Sequence, residues 1–221
     1  MLSSNNCLSL ILKDTLRKIM NESLFEPFRL VGGTNLAIQY RHRISTDIDL
    51  FTDHEYGSIN FKKLETWFSK TFNYCEPSDK SSKVGMGRTF YVGSSERDAI
   101  KVDIMYENNP FLFSELTIDN IRLATPLEIA VMKLNAIYYG GRKKDFWDLH
   151  YMLIDKNLKL AELIDLHARR FTYEHDTNQL LKSLSDFSKA DDEPDPICNL
   201  GKFWDMIKLD LLDELEKFKT E

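Results

Sequence analysis

A chain of 221 residues, 43% hydrophobic, with 29 basic against 35 acidic residues for a net charge of -6, is long enough to bury a substantial core and too acidic to coat nucleic acid broadly. Its three cysteines, Cys7, Cys75 and Cys198, are widely spaced and odd in number, which argues against a disulfide framework or a zinc pattern and for a cytoplasmic location. No apolar run is long enough to span a membrane, so no membrane partner is expected.

At the N-terminus the apolar patch Leu8 to Leu12 is followed at once by Lys13, Asp14, Arg17 and Lys18, with no small-residue cleavage site. That pattern predicts an amphipathic helix and not an export signal. Phe28 to Val31 reads as a short strand, Gly32-Gly33 as a turn where backbone can approach a ligand closely, and Thr34 onward as a helix whose exposed N–H groups can hold an anion. From Thr46 to Phe51 polar and apolar residues alternate, so Asp47 and Asp49 share one strand face while Ile48 and Leu50 enter the core. Two carboxylates side by side repel each other unless a cation sits between them. Hard oxygen donors of this kind suit Mg²⁺, which takes its remaining ligands from water and substrate phosphates. A solvated strand edge is the plainer alternative.

A helix is expected near Phe61 to Phe72 and a strand near Arg88 to Val92, with loops at Ser78 to Gly87 and Gly93 to Ser95. Ala99 to Tyr106 alternates again and puts Lys101, Asp103 and Met105 on one face, making Asp103 the candidate third carboxylate, or else an edge-strand residue. Thr125-Pro126-Leu127-Glu128 has the form of a helix start, with Thr125 as N-cap and Glu128 closing a capping box. That helix runs to about Tyr139 with an apolar stripe of Leu127, Ala130, Val131, Leu134 and Ile137, and Lys133 beside it. After Gly140-Gly141 comes the basic run Arg142-Lys143-Lys144, then Asp145 and Asp148, which share a helix face. An aspartate near a helix N-terminus is also simply favoured by the macrodipole. Asp191 to Pro196 is an acidic, proline-broken loop, and Phe203, Trp204, Ile207, Leu211, Leu215 and Phe218 mark a last amphipathic helix. The expected architecture is α+β: a mixed-sheet core over residues 1–122 and a helical region over 123–221.

The string GGTNLAIQYRHRISTDIDLF, Gly32 to Phe51, resembles the first motif of the nucleotidyltransferase superfamily with a DNA-polymerase-β-like core, in the form carried by the AbiEii-type abortive-infection toxins. Lys133 followed by the basic run and Asp145-x-x-Asp148 is similar to the later motifs of the same family. The resemblance implies a polymerase-β-like core and transfer of an NMP from an NTP to an acceptor hydroxyl with release of pyrophosphate. It also implies a two-ion Mg²⁺ site on Asp47, Asp49 and Asp103, and contacts to the nucleotide from Gly32, Gly33, Thr34, Arg43, Ser45 and Lys133. Asp145 or Asp148 would position Lys133 or the second substrate. It implies the toxin half of a toxin–antitoxin or phage-defence pair, with a cognate antitoxin as partner and a tRNA 3′ end as acceptor. Arg41, Arg43, Arg142, Lys143 and Lys144 are the basic residues available to such an acceptor. Two other readings stay open: transfer to a small molecule such as an aminoglycoside, and a binding module of the same fold that no longer catalyses.

Overall fold

The two-residue alternation that marks strands and the apolar stripes that mark helices sort this chain into a sheet-bearing first half and a helical second half. The computed structural model describes residues 2–77 and 85–220. The residues fall into two units, Met1–Arg41 with Ser45–Ala124, and His42–Ile44 with Thr125–Glu221. The single cut expected at 122/123 therefore misses a three-residue loan, His42–Ile44, from the first half of the sequence to the second unit.

In the first unit the strands are β1 (Arg29–Val31), β2 (Ile48–Thr52), β3 (Tyr74–Pro77), β4 (Gly87–Gly93), β5 (Ala99–Tyr106), β6 (Leu116–Ile118) and β7 (Ile121–Leu123). Among the described residues they form one mixed sheet in the order β3-β4-β5-β2-β1-β7-β6. The central strands alternate as expected: Ile48, Leu50, Val102 and Ile104 are buried, while Asp49 and Asp103 are half-exposed on the opposite face. Helices α1 (Leu10–Met20), α2 (Gly32–Tyr40) and α3 (Phe61–Thr71) complete the unit. The core gathers Leu12, Leu16 and Ile19 of α1, Leu64 and Phe68 of α3, and the inner strand residues; Phe68 stacks on Phe90 with ring centroids 4.6 Å apart. Ser9 caps α1 and Asn60 caps α3 by accepting from backbone N–H groups of the first turn.

Three strands escaped the sequence pattern. In β3 every residue is half-buried and β6 is mostly exposed, so neither carries a two-residue period, and β7 has only three residues. The loop expected from Ser78 lies outside the described residues over 78–84, and Gly93 closes β4 instead of opening a loop.

The second unit comprises α4 (Pro126–Tyr138), α5 (Lys143–His150), α6 (Leu160–Arg170), α7 (Thr177–Leu184), α8 (Ser188–Asp191) and α9 (Trp204–Thr220). A π-helical stretch, Tyr151–Asp155, continues α5. Thr125 caps α4 by accepting from the Glu128 N–H at 3.1 Å. The helix is buried on more than the expected stripe: Glu128, Ile129 and Lys133 are also inside. A charge survives burial only when paired, and here the fully buried Glu128 carboxylate meets the fully buried Arg170 guanidinium. Trp204 of α9 lies parallel to Trp147 of α5, while Phe203 stays 59% exposed and drops out of the expected apolar stripe.

Candidate active site

In the first unit one row across the sheet carries the chemistry. Register places Val31 opposite Asp49, Asp49 beside Asp103 in the parallel β2–β5 pair, and Asp103 opposite Thr89. Asp49 and Asp103 are therefore neighbours on adjacent strands, about 4.8 Å apart along the row. Asp47, one residue before β2, is half-buried like Asp49. Each oxygen of Asp103 has a partner: Thr89 Oγ1 donates to Oδ1 at 2.5 Å, and the Lys101 ammonium lies 2.5 Å from Oδ2. Burial pulls the Lys101 ammonium toward deprotonation, but its hydrogen bond to Asp103 and the charges of Asp103, Asp49 and Asp47 outweigh this, so its pKa is raised. One lysine thus feels all three carboxylates.

Beside this row the chain turns from β1 into α2. The turn expected to need both glycines is made by Gly32 alone, at φ +70°, and the helix begins there. A β-carbon on Gly32 would collide with the Asp49 carboxylate, so the missing side chain is what lets the helix start lie against that group. Gly33 and Thr34 follow in the first turn of α2 and are buried. The Thr34 hydroxyl shares a hydrogen bond with Ser45 Oγ at 2.8 Å and donates to the Asp47 carbonyl. Thr34 and Ser45 therefore tie the strand entering the carboxylate row to the glycine turn.

In the second unit a buried ionic cluster forms around Asp148. Arg43 grips it with two donors, Nε to Oδ1 at 2.6 Å and Nη2 to Oδ2 at 2.8 Å. Lys133 Nζ lies 2.8 Å from Asp148 Oδ2 and 2.7 Å from Asp145 Oδ1. Asp145 in turn accepts the Arg142 backbone N–H at 3.0 Å, which fixes it in the first turn of α5. Burial alone would raise the Asp148 carboxyl, but the charges of Arg43 and Lys133 hold it well below the usual carboxylate range. Burial also works against the charge on Asp145, and Lys133 again prevails, so its pKa is lowered. Burial opposes the Lys133 charge too, yet Asp145 and Asp148 raise its pKa.

His42 joins this cluster, and sequence reasoning missed it. Its Nε2 lies 2.7 Å from Asp148 Oδ1. Since the ionised carboxylate can only accept, Nε2 is the donor. The ring stacks on Tyr151 with centroids 4.9 Å apart, and Nδ1 has no hydrogen-bond partner among the described residues. The segment is pinned by an antiparallel bridge, with Ile44 N–H donating to the Ile197 carbonyl at 2.9 Å and Asn199 N–H to the His42 carbonyl at 3.0 Å. Only the tripeptide Arg41-His42-Arg43 hinted at this, and charge alone does not distinguish a buried arginine from a solvated one.

The expected basic mouth is smaller than its sequence. Arg43 is buried on Asp148, and Lys143 is buried with its ammonium 2.9 Å from Asp195 and over the Trp204 ring. In the second unit Arg142 is exposed and Lys144 half-buried.

The donor set suits a hard divalent cation. Among the described residues no group of three carboxylates, imidazoles or thiolates is placed to hold a metal ion. Mg²⁺ does not require one, since it is ordinarily held by one or two carboxylates with water and substrate phosphates. The adjacent, half-buried Asp49 and Asp103, with the Lys101 ammonium already paired with Asp103, match that mode.

Comparison with known proteins shows the family and the fold. The model of a family described as nucleotidyl transferase AbiEii toxin, type IV toxin–antitoxin system, matches residues 14–220. The uncharacterised protein aq_aa25 of Aquifex aeolicus (strain VF5) is 32% identical over 187 residues, covering 82% of this chain and 84% of that one. JHP933 from Helicobacter pylori shares the fold with a TM-score of 0.54 at 18% identity, over 94% of this chain and 90% of that chain. An H. pylori chain described as a candidate nucleotidyltransferase gives a TM-score of 0.53 at 18% identity, over 94% and 93%. With its glycine turn, its carboxylate row and a match over nearly its whole length, this chain belongs to the AbiEii nucleotidyl transferase toxin family.

Proposed function

We propose that the protein transfers an NMP group from an NTP to an acceptor hydroxyl in a Mg²⁺-dependent reaction, as the toxin of a toxin–antitoxin pair active in the cytoplasm. The observation that carries this reading is the in-register pair Asp49 and Asp103 beside the Gly32 turn, with Asp47 one residue before β2.

Asp47, Asp49 and Asp103 are the residues that would hold Mg²⁺, which when bound neutralises triphosphate charge and acidifies the acceptor hydroxyl. In the transfer the acceptor oxygen bonds to the α-phosphorus as the bond from that phosphorus to the bridging oxygen breaks, and pyrophosphate leaves. Asp103 is suited to orient the attacking hydroxyl and take its proton, since its carboxylate is already fixed by Thr89. The N–H groups at the start of α2, from Gly32, Gly33 and Thr34, favour phosphate oxygens through the helix dipole. Ser45 steadies that turn through Thr34. In the second unit Lys133 has two of its three donors on Asp145 and Asp148 and holds that pair in place. Arg43 acts by holding Asp148.

The acceptor we favour is a tRNA 3′ end, and a cognate antitoxin is the expected protein partner. Incubation with each labelled NTP, Mg²⁺ and total tRNA should label RNA with one preferred base, and Asp49→Asn should abolish the label. Labelled small molecules with unlabelled RNA would instead favour an aminoglycoside-like acceptor. Absence of transfer to any acceptor, with NTP binding intact, would favour a non-catalytic module.

A further inference from the structure

Lys101 stands two residues before Asp103 on β5, so both side chains share the carboxylate face of the sheet. Its ammonium lies 2.5 Å from Asp103 Oδ2, and Thr89 occupies Oδ1. The ion pair joins Lys101 to Asp103, whose in-register neighbour on β2 is Asp49, so the cation sits at one end of a pair of adjacent carboxylates. The Lys101 side chain is 38% exposed against 14% for Asp103, so its flexible stem has solvent to swing into while the carboxylate stays in place.

We infer that Lys101 is a built-in counter-cation of Asp103, neutralising that carboxylate beside Asp49 when no metal is bound and competing with the divalent cation for Asp103 Oδ2. The inference rests on the metal role proposed above. A divalent ion must displace the ammonium before Asp103 can become its ligand. The resulting affinity for metal alone is therefore weaker than the same carboxylates would give without the ammonium. Lys101 thus acts as a positioning residue, keeping the row ordered and the free ion loosely bound until a nucleotide adds its phosphate charge.

The test uses the full chain, Mn²⁺ as probe without nucleotide, and two readouts: free Mn²⁺ by electron paramagnetic resonance, and thermal unfolding in EDTA. Lys101→Met should bind Mn²⁺ about tenfold tighter, since one close charge at a partly exposed site is removed, and should melt lower in EDTA. Lys101→Arg, which keeps a cation, should stay within a few-fold of the wild-type affinity. Should Lys101→Met unfold, Lys101→Gln should show the same tightening. A purely structural lysine would lower the melting temperature and leave Mn²⁺ affinity unchanged. Wild-type binding with unchanged or weaker affinity in the variant overturns the inference alone. No Mn²⁺ binding to either protein overturns it together with the metal reading.

Discussion

The carboxylate of Asp49 fills the space that a β-carbon on Gly32 would need. Antiparallel register puts Val31 opposite Asp49, so the next residue, Gly32, turns directly over that side chain as the chain enters α2. Gly32 meets two demands at once: a left-handed backbone at φ +70° and no side chain.

Gly32→Ala should therefore be costly on both counts. The backbone strain alone is worth about 1–3 kcal/mol, and the collision must in addition push Asp49 out of the row. Urea unfolding should show the loss in stability, and NTP-dependent stabilisation should fall with it. A melting temperature equal to wild type would contradict the close approach.

Asp47→Asn should separate ligand from scaffold. If Asp47 binds metal, Mg²⁺ with NTP should stabilise the wild type by mass action, about 2.7 kcal/mol at a hundredfold excess over Kd. The variant should lose that increment and keep its stability in EDTA. Asp103→Ala should keep measurable NTP binding while transfer falls by roughly 10²–10⁴-fold, the usual worth of a positioned base. Single-turnover assays with labelled NTP distinguish the two effects.

The buried cluster should respond unequally to removal of its members. Asp148→Ala leaves Arg43 and Lys133 facing each other without a carboxylate between them and should cost about 3–5 kcal/mol. Lys133→Met leaves Asp148 its two-donor grip from Arg43 and should cost less. Because both aspartates have lowered pKa values, their contribution is fully present above the ordinary carboxylate range and is lost as pH falls below it toward the folded-state values. Lys133, raised, contributes below its ordinary range and loses that contribution at high pH, above it. Chemical unfolding across pH in wild type and Asp148→Asn would show the acid limb shrink in the variant.

A second acid response should come from His167. Burial, with help from the neighbouring His175 and Arg170, pushes it down to about 4. It accepts at Nδ1 from His175 and donates at Nε2 to Asn135, at 2.8 and 3.1 Å, a pattern that suits the neutral ring. A depressed histidine favours the folded state above its ordinary value near 6.5. Stability should fall as pH drops from about 6.5 toward 4, by about 3 kcal/mol in all. His167→Gln should flatten that part of the profile, whatever its effect at pH 7.

For a polynucleotide acceptor, the useful basic residues are Arg142 and Lys144, since Lys143 is buried against Asp195 and Trp204. Arg142→Ala with Lys144→Ala should raise KM for RNA and reduce its salt dependence while leaving NTP binding intact. Lys143→Ala should instead lower stability. An unchanged salt response in the double variant would count against an RNA acceptor.

Local pattern was enough for much of this. The alternation around Asp49 and, separately, around Asp103 predicts which face of its own strand each carboxylate takes, because side chains on a strand must alternate whatever lies beyond it. Thr125-Pro126 marks the start of α4 for an equally local reason, a hydroxyl accepting from the first turn. What needed the tertiary structure were the relationships set by long-range register and burial. That Asp103 lies beside Asp49 follows from a parallel pairing across about fifty residues of chain, which no periodicity encodes. The departure of His42–Ile44 to the helical unit has the same origin. Arg43 and Lys143 look like solvated cations in the sequence, and only the fold shows that both are buried, Arg43 on the buried Asp148 and Lys143 with its ammonium reaching the exposed Asp195. Sequence specifies which charges are present and on which face of an element they stand; the fold decides which of them leave water, because a buried charge persists only where a distant segment supplies its counter-ion.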